Sequence, residues 1–319
     1  MIKMKKAFSL IEVIFVLTIL GIVASISSQI IVQVYENYIT QKALYKTTTK
    51  TEIAINQIVN RLTFIIDGTA VTKNPLITPY TTASEGNNWV RLKDIDITNN
   101  AHKQFTTIEW IGYDNDSFSA NEAPYWSGLG NYDIASRDSF RTPGSNLNST
   151  ATIMRKLSNS KVDLTQAHPA GLIFIQEDDQ FIPGAEYSPT CMGLINPLNT
   201  ACIFPVRRGI SANDDNLTFT RLNEPKTITE RYKLSWSAYA LVPEASAANP
   251  GLFDLFLYSN YQPWNSEIYQ DGDKHLLINN VSVFKFTKNG GVIQLKLCAT
   301  ENIGQDFNLS SCKEKAIIK

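Results

Sequence analysis

The sequence has few cysteines and histidines and no excess of charge of either sign. Four cysteines and three histidines are too few for a cysteine-rich scaffold or a multi-metal enzyme. The 29 Lys and Arg residues balance 30 Asp and Glu residues, for a formal net charge of −1. Bulk charge therefore excludes a basic nucleic-acid-binding module. With 43 % hydrophobic residues, the chain has enough apolar surface for a folded core and is not a disordered tail.

Motifs of catalysis and metal binding are also missing from the sequence. There is no G-x-S-x-G, no H-E-x-x-H and no phosphate-binding loop, and the histidines show no ligand spacing with the cysteines. We therefore expect no enzyme activity, no catalytic residue, no metal and no cofactor. The histidines are expected to be ordinary loop or strand residues, and the five tryptophans to be core residues: His102, His168, His275, Trp89, Trp110, Trp126, Trp236 and Trp264.

Long hydrophobic runs are absent except at the start of the chain. Between residues 7 and 34 the only charged residue is Glu12, and about 20 apolar residues suffice for a membrane-spanning helix. Lys3, Lys5 and Lys6 precede the run. By the positive-inside rule, the N-terminus is expected to stay in the cytoplasm while the rest of the chain is exported.

Glu12 distinguishes three interpretations of this run: a cleaved signal peptide with a weak cut site near 25–27, a plain signal anchor, and a prepilin leader. A carboxylate in the membrane core costs roughly 2.5–3.5 kcal/mol on the insertion scale. Neither a signal peptide nor a plain anchor has a use for such a residue. A residue of this kind within a membrane span is by default a functional site with a partner to be identified.

The segment KKA-FSLIEV resembles the prepilin peptidase motif of type IV pilins and type II secretion pseudopilins. The resemblance implies cleavage between Ala7 and Phe8, N-methylation of Phe8, and a role in assembly for Glu12. Ala7 departs from the usual Gly, but it is small. The implied partners are prepilin peptidase, other pilin subunits, the inner-membrane assembly platform and membrane lipid.

The new amine at Phe8 would carry a positive charge at neutral pH, because an α-amino group has a pKa of about 7.7–8.0. It lies four residues before Glu12, so the two groups can pair within one helix. In the family's filaments this Glu pairs with the amine of a neighbouring subunit, which gives each buried charge a partner. We therefore expect Glu12 to drive docking of the subunit into a helical stack.

The sequence predicts one helix over residues 8–66, ending at Asp67-Gly68, with an apolar face that recurs every three or four residues. Lys42, Lys46, Lys50 and Glu52 are expected to face elsewhere. The expected segments are a leader (1–7), a transmembrane half-helix (8–34), a periplasmic half-helix (35–66) and a head (67–319). The positions of the expected apolar face are Tyr38, Tyr45, Thr48, Thr51, Ile55, Ile58, Leu62 and Ile65.

The head is expected to be β-rich, which makes the fold class α+β, with a long N-terminal helix packed on an exported head. A hairpin is predicted around Asn289-Gly290. The stretch 115–160, rich in Ser, Asn, Gly and Asp, is predicted to form loops rather than a second domain. Strands are predicted at 105–113, 171–176, 217–222, 232–242, 252–258, 281–287 and 291–298.

About 70 residues between 231 and 298 resemble the J-type (GspJ-like) minor pseudopilins and PilW-like minor pilins. The segments that carry this resemblance read RYKLSWSAYALV, LFDLFLYSNYQPW and LLINNVSVFKFTKNGGVIQLKLC. This second resemblance implies a larger, rare subunit. A bulky head packs poorly along a filament shaft, so a position at the tip is favoured.

An exported head lies in a compartment that permits disulfides. The four cysteines allow three connectivities. The local pairing of Cys191 with Cys202 and Cys298 with Cys312 is favoured, each closing a loop worth about 3 kcal/mol in the chain-entropy model. A zinc site is the weaker alternative.

Two further kinds of site are open but not favoured. The acidic pairs 178–179 and Asp271/Asp273 allow a calcium loop, although solvated turns are expected. Asn216 and Asn308 lie in acidic-x-Asn-x-Ser/Thr patterns that allow glycosylation.

The resulting hypothesis is a non-enzymatic minor pilin or pseudopilin subunit of the inner membrane. Its N-terminus would be cytoplasmic and its head periplasmic, and it would initiate or cap a pseudopilus or pilus. One alternative is a tip-located module that binds DNA, a surface or an exported substrate. Nucleic acid has thin support, from Arg207-Arg208 and Lys313/Lys315 only. A remote alternative is a membrane-anchored exported enzyme.

Overall fold

The structure is a computed structural model that describes residues 9–75, 86–96, 98–175, 189–209, 214–220, 228–303 and 308–318. A single long helix is followed by a head built on two antiparallel sheets. The fold is therefore α+β, as the sequence predicts.

Helix α1 spans Leu10–Thr63, which corresponds to about 80 Å at 1.5 Å per residue. It contains no proline, and it ends where the chain turns into the sheet: the Ile66 amide donates to the Ile111 carbonyl at 2.9 Å. The predicted limits are therefore right to within a few residues. Two residues of the predicted apolar face are misplaced, because Tyr38 and Tyr45 are 59 % and 75 % exposed.

The main sheet has eight strands in the order β13-β12-β11-β10-β9-β3-β1-β2. Helix α1 packs across one end of it, chiefly on β13 and β12. The strands are β1 (Val71–Lys73), β2 (Trp89–Arg91), β3 (Thr107–Gly112), β9 (Ser237–Ala245), β10 (Phe253–Tyr261), β11 (Asp273–Asn289), β12 (Val292–Asn302) and β13 (Asn308–Ile318).

A second sheet has five strands in the order β4-β7-β6-β5-β8. Its strands are β4 (Ser139–Arg141), β5 (Ala170–Ile175), β6 (Phe204–Arg208), β7 (Asn216–Phe219) and β8 (Arg231–Ser235).

The two sheets are joined where the sequence predicts one uninterrupted strand, 232–242. That prediction is wrong, because the segment divides at Trp236 into β8, which pairs with β5, and β9, which pairs with β3 and β10. The Gln262 side-chain amide donates to the Trp236 carbonyl at 3.1 Å. That bond satisfies a backbone group that neither strand pairing uses.

Every other predicted strand coincides at least in part with an observed one, and the hairpin at Asn289-Gly290 is confirmed. Asn289 pairs with Val292 across a two-residue connection, in which Gly290 has a φ of 56°, a conformation that favours glycine. The sequence does not predict β1, β2, β6 or β13. The alternating charges of β13, at Lys313, Glu314 and Lys315, hide a strand that is buried on one face only.

The stretch 115–160 contains more regular structure than predicted. It holds the short helix α2 (Asn115–Phe118), strand β4 and helix α3 (Leu147–Leu157). Asn146 caps α3 by accepting from the Ser149 amide at 3.0 Å. The buried face of this helix consists of Leu147, Thr150, Ala151 and Met154. Two of these four side chains are small or polar, so the apolar periodicity that would predict a helix is weak.

The head contains two large apolar cores. The first lies between α1 and the main sheet and includes Ile55, Leu62 and Trp110. The second is built around the five-stranded sheet and α3 and includes the other four tryptophans. All five tryptophans are at most 7 % exposed, so the expectation that they are core residues is confirmed.

A buried ion pair connects the main sheet to the second core. The Lys73 ammonium on β1 donates to the Glu109 carboxylate on β3 and to the Leu194 carbonyl of the second core. The Tyr261 hydroxyl donates to the other Glu109 oxygen at 2.8 Å. Lys73 and Glu109 are 6 % and 1 % exposed, so neither charge can be left without its partner at low cost.

We expect Glu109→Leu to lower the free energy of unfolding by about 3–5 kcal/mol, because it leaves the buried Lys73 ammonium without an anion. The double variant Lys73→Met/Glu109→Leu should recover most of that loss. Chemical denaturation followed by tryptophan fluorescence measures both. Glu314→Gln is the control. Glu314 pairs with Lys296 on the surface, where the two side chains are 67 % and 45 % exposed. Loss of this pair should lower the free energy of unfolding by less than about 1 kcal/mol. A double variant as unstable as Glu109→Leu would contradict the assignment.

Candidate functional site

The first half of α1 is an apolar helix that the head does not cover. Within the described part of the chain, α1 is the one helix long and apolar enough to cross a membrane, and none of its most apolar window is buried. Its large side chains are 45–80 % exposed between Leu10 and Val34. Exposed apolar surface of this extent requires lipid or another apolar partner.

Glu12 lies in the first turn of this uncovered segment. Ser9 caps the helix, since its hydroxyl accepts from the Glu12 amide at 3.4 Å. The Glu12 side chain is exposed and forms no ion pair with any residue that the structure describes. Ala7 and Phe8, the predicted cleavage and methylation residues, lie outside the described residues.

The second half of α1 is attached to the head by apolar packing. Its buried face consists of Thr47, Thr51, Ala54, Ile55, Ile58 and Leu62. The apolar members of this face share one core with Leu295 and Leu297 of β12. Burying a Leu or Ile side chain contributes about 1.5–3 kcal/mol, so these few residues hold the helix firmly on the sheet.

Ion pairs line both sides of this contact. Glu301 of β12 accepts from Lys46 at 2.9 Å and from Lys50 at 3.0 Å. Glu52 of α1 in turn accepts from Lys313 at 3.2 Å and from Lys315 at 3.1 Å. We call these six side chains the helix–sheet clamp. It fixes both the register and the rotation of α1 on the strands.

Lys46, Lys50 and Glu52 lie outside the buried apolar stripe of α1, as the sequence predicts. All three reach charged residues of β12 and β13 at the margins of that stripe. The signal that would have identified the clamp is the Lys-Glu-Lys alternation of β13 at 313–315. It places two lysines on the face of the strand that α1 covers.

Electrostatics agree with this geometry. Partial burial raises the pKa of Glu301, but the Lys46 and Lys50 hydrogen bonds outweigh it and leave the pKa below its ordinary value. Hydrogen bonds from Lys315 and Lys313 hold the pKa of Glu52 below its ordinary value. Both carboxylates therefore bind protons less readily in the folded state.

Both cysteine pairs form disulfides in the local pairing. Cys298 and Cys312 face each other across β12 and β13, which ties the last strand to the sheet that carries α1. Cys191 and Cys202 close a loop of the second core, and the Cys202 amide donates to the Cys191 carbonyl at 3.0 Å.

The other residues singled out in the sequence have local structural roles. His102 Nδ1 accepts from the Asp96 amide at 2.9 Å. Asp271 accepts from the Ile268 amide, and Asp273 accepts from the Asn260 side chain, both at 2.9 Å. Among the described residues no group of acidic, His or Cys side chains could hold a metal ion. Residues 178–179 lie outside the described residues.

The possible nucleic-acid contacts do not form a basic surface. Lys313 and Lys315 are paired with Glu52, and the Arg208 guanidinium lies 3.4 Å from Asp214 and donates to Asn148 at 2.8 Å. Asn216 and Asn308, the residues of the two glycosylation patterns, lie within β7 and at the start of β13.

We expect Glu301→Gln to destabilise the chain by about 0.5–1 kcal/mol at neutral pH, since the clamp is only partly buried. The folded-state pKa is lowered, so the clamp's contribution is complete above the ordinary value of 4.5 and is lost as the pH falls through the lower folded-state value. The difference in free energy of unfolding between the wild type and the variant should therefore shrink from neutral to acidic pH. Chemical denaturation at both pH values measures it. Glu122→Gln, at an exposed position, is the control. A difference that grows on acidification would contradict this account.

Comparison with known proteins identifies the start of the chain. No curated protein and no solved structure matches the chain. The prokaryotic N-terminal methylation motif matches residues 2–28, which include Ala7, Phe8 and Glu12. Together with the long apolar helix, this match indicates membrane anchoring. The chain thus carries the N-terminal methylation motif of type IV pilin-like proteins, which are substrates of prepilin peptidase.

Proposed function

We propose that this protein is a minor pilin or pseudopilin subunit that assembles into a type IV pilus or type II secretion pseudopilus. One observation carries the proposal: the methylation motif begins a helix whose first half is uncovered and whose second half is fixed to a folded head. Such a helix can leave the bilayer and enter a helical stack without any change in the head. The protein is then structural and has no enzymatic role.

Processing follows from the motif. Prepilin peptidase would cleave between Ala7 and Phe8 on the cytoplasmic side, and Phe8 would be N-methylated. Residues 1–7 are then the leader, 8–34 the transmembrane half of the helix, 35–66 its periplasmic half and 67–319 the periplasmic head. The subunit would cross the inner membrane once before it meets the assembly platform.

Glu12 is proposed to guide docking. Its side chain has no partner among the described residues, although a carboxylate in lipid costs several kcal/mol. The positively charged amine of a neighbouring subunit would remove that cost on assembly. The helix–sheet clamp would transmit the position of this pair to the head, because α1 cannot rotate on the sheet without breaking it.

A position at the start or end of the filament is supported by the shape of the head. The five-stranded sheet adds a second core to the core that seats the helix. A head of this bulk packs poorly along a shaft of repeating subunits. The resemblance of residues 231–298 to J-type minor subunits agrees with a rare component.

We expect mass spectrometry of membrane-extracted protein to show a chain that begins at N-methylated Phe8. Deletion of the prepilin peptidase gene should leave Met1 at the N-terminus. A mature chain that begins near residue 27, or an intact Met1 in the wild type, would contradict the proposal. The head would then have to be interpreted as an exported domain that is not part of a pilus.

We expect Glu12→Gln to be processed normally but to fall at least tenfold in sheared filaments, because the neutral amide cannot pair with a charged amine. Glu36→Gln, on the same helix and also exposed, should assemble as the wild type does. Quantitative immunoblotting of filament and membrane fractions measures both, and in the wild type this protein should be far less abundant than the major subunit. Equal assembly of the two variants would disprove the role of Glu12.

A further inference from the structure

A cleft of about 510 Å³ lies beside the last turns of α1 on the face of the main sheet that α1 covers. One wall is the exposed flank of the helix, with Gln57, Asn60 and Arg61. The facing wall is formed by Asp116 of α2 and by the extensions of β10 and β11 past the helix, with Ser259 and His275. None of the features described above uses this cleft.

The cleft is rigidly built. Ile65 forms a β-bridge with Gly112, and the Tyr113 amide donates to the Phe64 carbonyl at 2.8 Å. Backbone hydrogen bonds therefore fix the end of the helix to the end of β3, where Gly112 and Tyr113 also line the cleft. The site exists before a ligand arrives, which lowers the entropic cost of binding.

Aromatic rings form the floor of the cleft. Tyr239 stacks on Trp110 with 5.7 Å between ring centroids, and burial raises the pKa of Tyr239 to about 12, so its hydroxyl stays neutral. Gly112 makes room for this ring, since a Cβ there would lie 2.7 Å from Tyr239 Cε2. Phe64 and Tyr113 meet edge to face at 5.6 Å beside it.

The polar groups of the walls are free to bind a ligand. Among the described residues, the side chains of Gln57, Asn60 and Asp116 form no hydrogen bond or ion pair within the protein. The Arg61 guanidinium lies over the Tyr239 ring, 5.4 Å from its centroid, and forms no hydrogen bond or ion pair with any residue that the structure describes. Arg61 donates, Asp116 accepts, and each amide does both. The cleft thus offers matched donors and acceptors and no net charge.

This combination points to a neutral polyhydroxylated ligand, and we propose that the cleft binds a saccharide. Each sugar hydroxyl both donates and accepts a hydrogen bond, which suits amides between a guanidinium and a carboxylate. The C–H face of a sugar ring packs on aromatic rings, here the half-buried Phe64 and Tyr113. The inference goes beyond the proposed function, because binding needs neither processing nor assembly.

Other ligand classes fit the cleft less well. An anion would meet the Asp116 carboxylate, and a purely apolar molecule would desolvate four polar side chains without replacing their hydrogen bonds. A peptide strand would need a free sheet edge to pair with. Strand β10 is paired on both sides, and β12 pairs with β11 only from Val281 onward. A peptide on the open edge of β11 would lie in the plane of the sheet, where it could not also contact the helix flank of the cleft.

The test uses the full chain in an amine-oxide detergent, because detergents with sugar headgroups would compete for the cleft. Saturation-transfer NMR and calorimetry would probe it with maltotriose, cellotriose, chitotriose and a printed array of neutral glycans. Inorganic phosphate and tetra-alanine serve as comparison ligands. We expect at least one saccharide to bind at millimolar concentration or below, and to bind more tightly than phosphate or the peptide.

Variants connect that binding to the cleft. Asp116→Asn and Arg61→Gln should each weaken saccharide binding about tenfold or more, the value of one hydrogen bond to a charged group. Asp133→Asn and Arg155→Gln, at exposed positions outside the cleft, should leave it unchanged, and thermal melts would confirm that all four variants are folded. Absence of saccharide binding, tighter binding of phosphate or tetra-alanine, or equal effects of the two variant pairs would overturn the proposal.

Discussion

The structure depends on the contact between the second half of α1 and the main sheet. Helix α1 has 54 residues, and tertiary packing stabilises only its second half. Apolar burial of Ile55, Ile58 and Leu62 provides most of the attachment. The clamp around Glu301 and Glu52 adds little free energy, but it selects one rotation of the helix. The first half then extends from the head in a fixed direction.

The rest of the head is organised around that contact. The chain enters the main sheet directly from the helix, through the bridge between Ile65 and Gly112. It leaves that sheet for the second one and returns to it at Trp236. The buried pair of Lys73 and Glu109 joins the two cores, so the second sheet is linked to the first by side chains as well as by backbone.

The cleft is a consequence of the same arrangement. Helix α1 stops at Thr63, while β10 and β11 continue beyond it, and the space left beside the helix end is the cleft. Gln57, Asn60 and Arg61 come from the helix flank that no strand covers, and Asp116 comes from α2. Assembly and ligand binding would thus use different surfaces of one element. The uncovered N-terminal half of α1 would meet lipid and neighbouring subunits, and its C-terminal flank would meet the ligand.

The sequence by itself determined the features that depend on local pattern: the apolar run with its single Glu12, the helix to about residue 63, most strands and the hairpin at Gly290. These follow from hydrophobic periodicity and turn chemistry, which neighbouring residues decide. Only the tertiary structure decided the strand switch at Trp236, the helix–sheet clamp and the cleft. Each of these joins residues far apart in the chain, such as Lys50 with Glu301 or Arg61 with Asp116. No local pattern encodes which distant side chains meet, because that depends on how the two sheets and the helix pack.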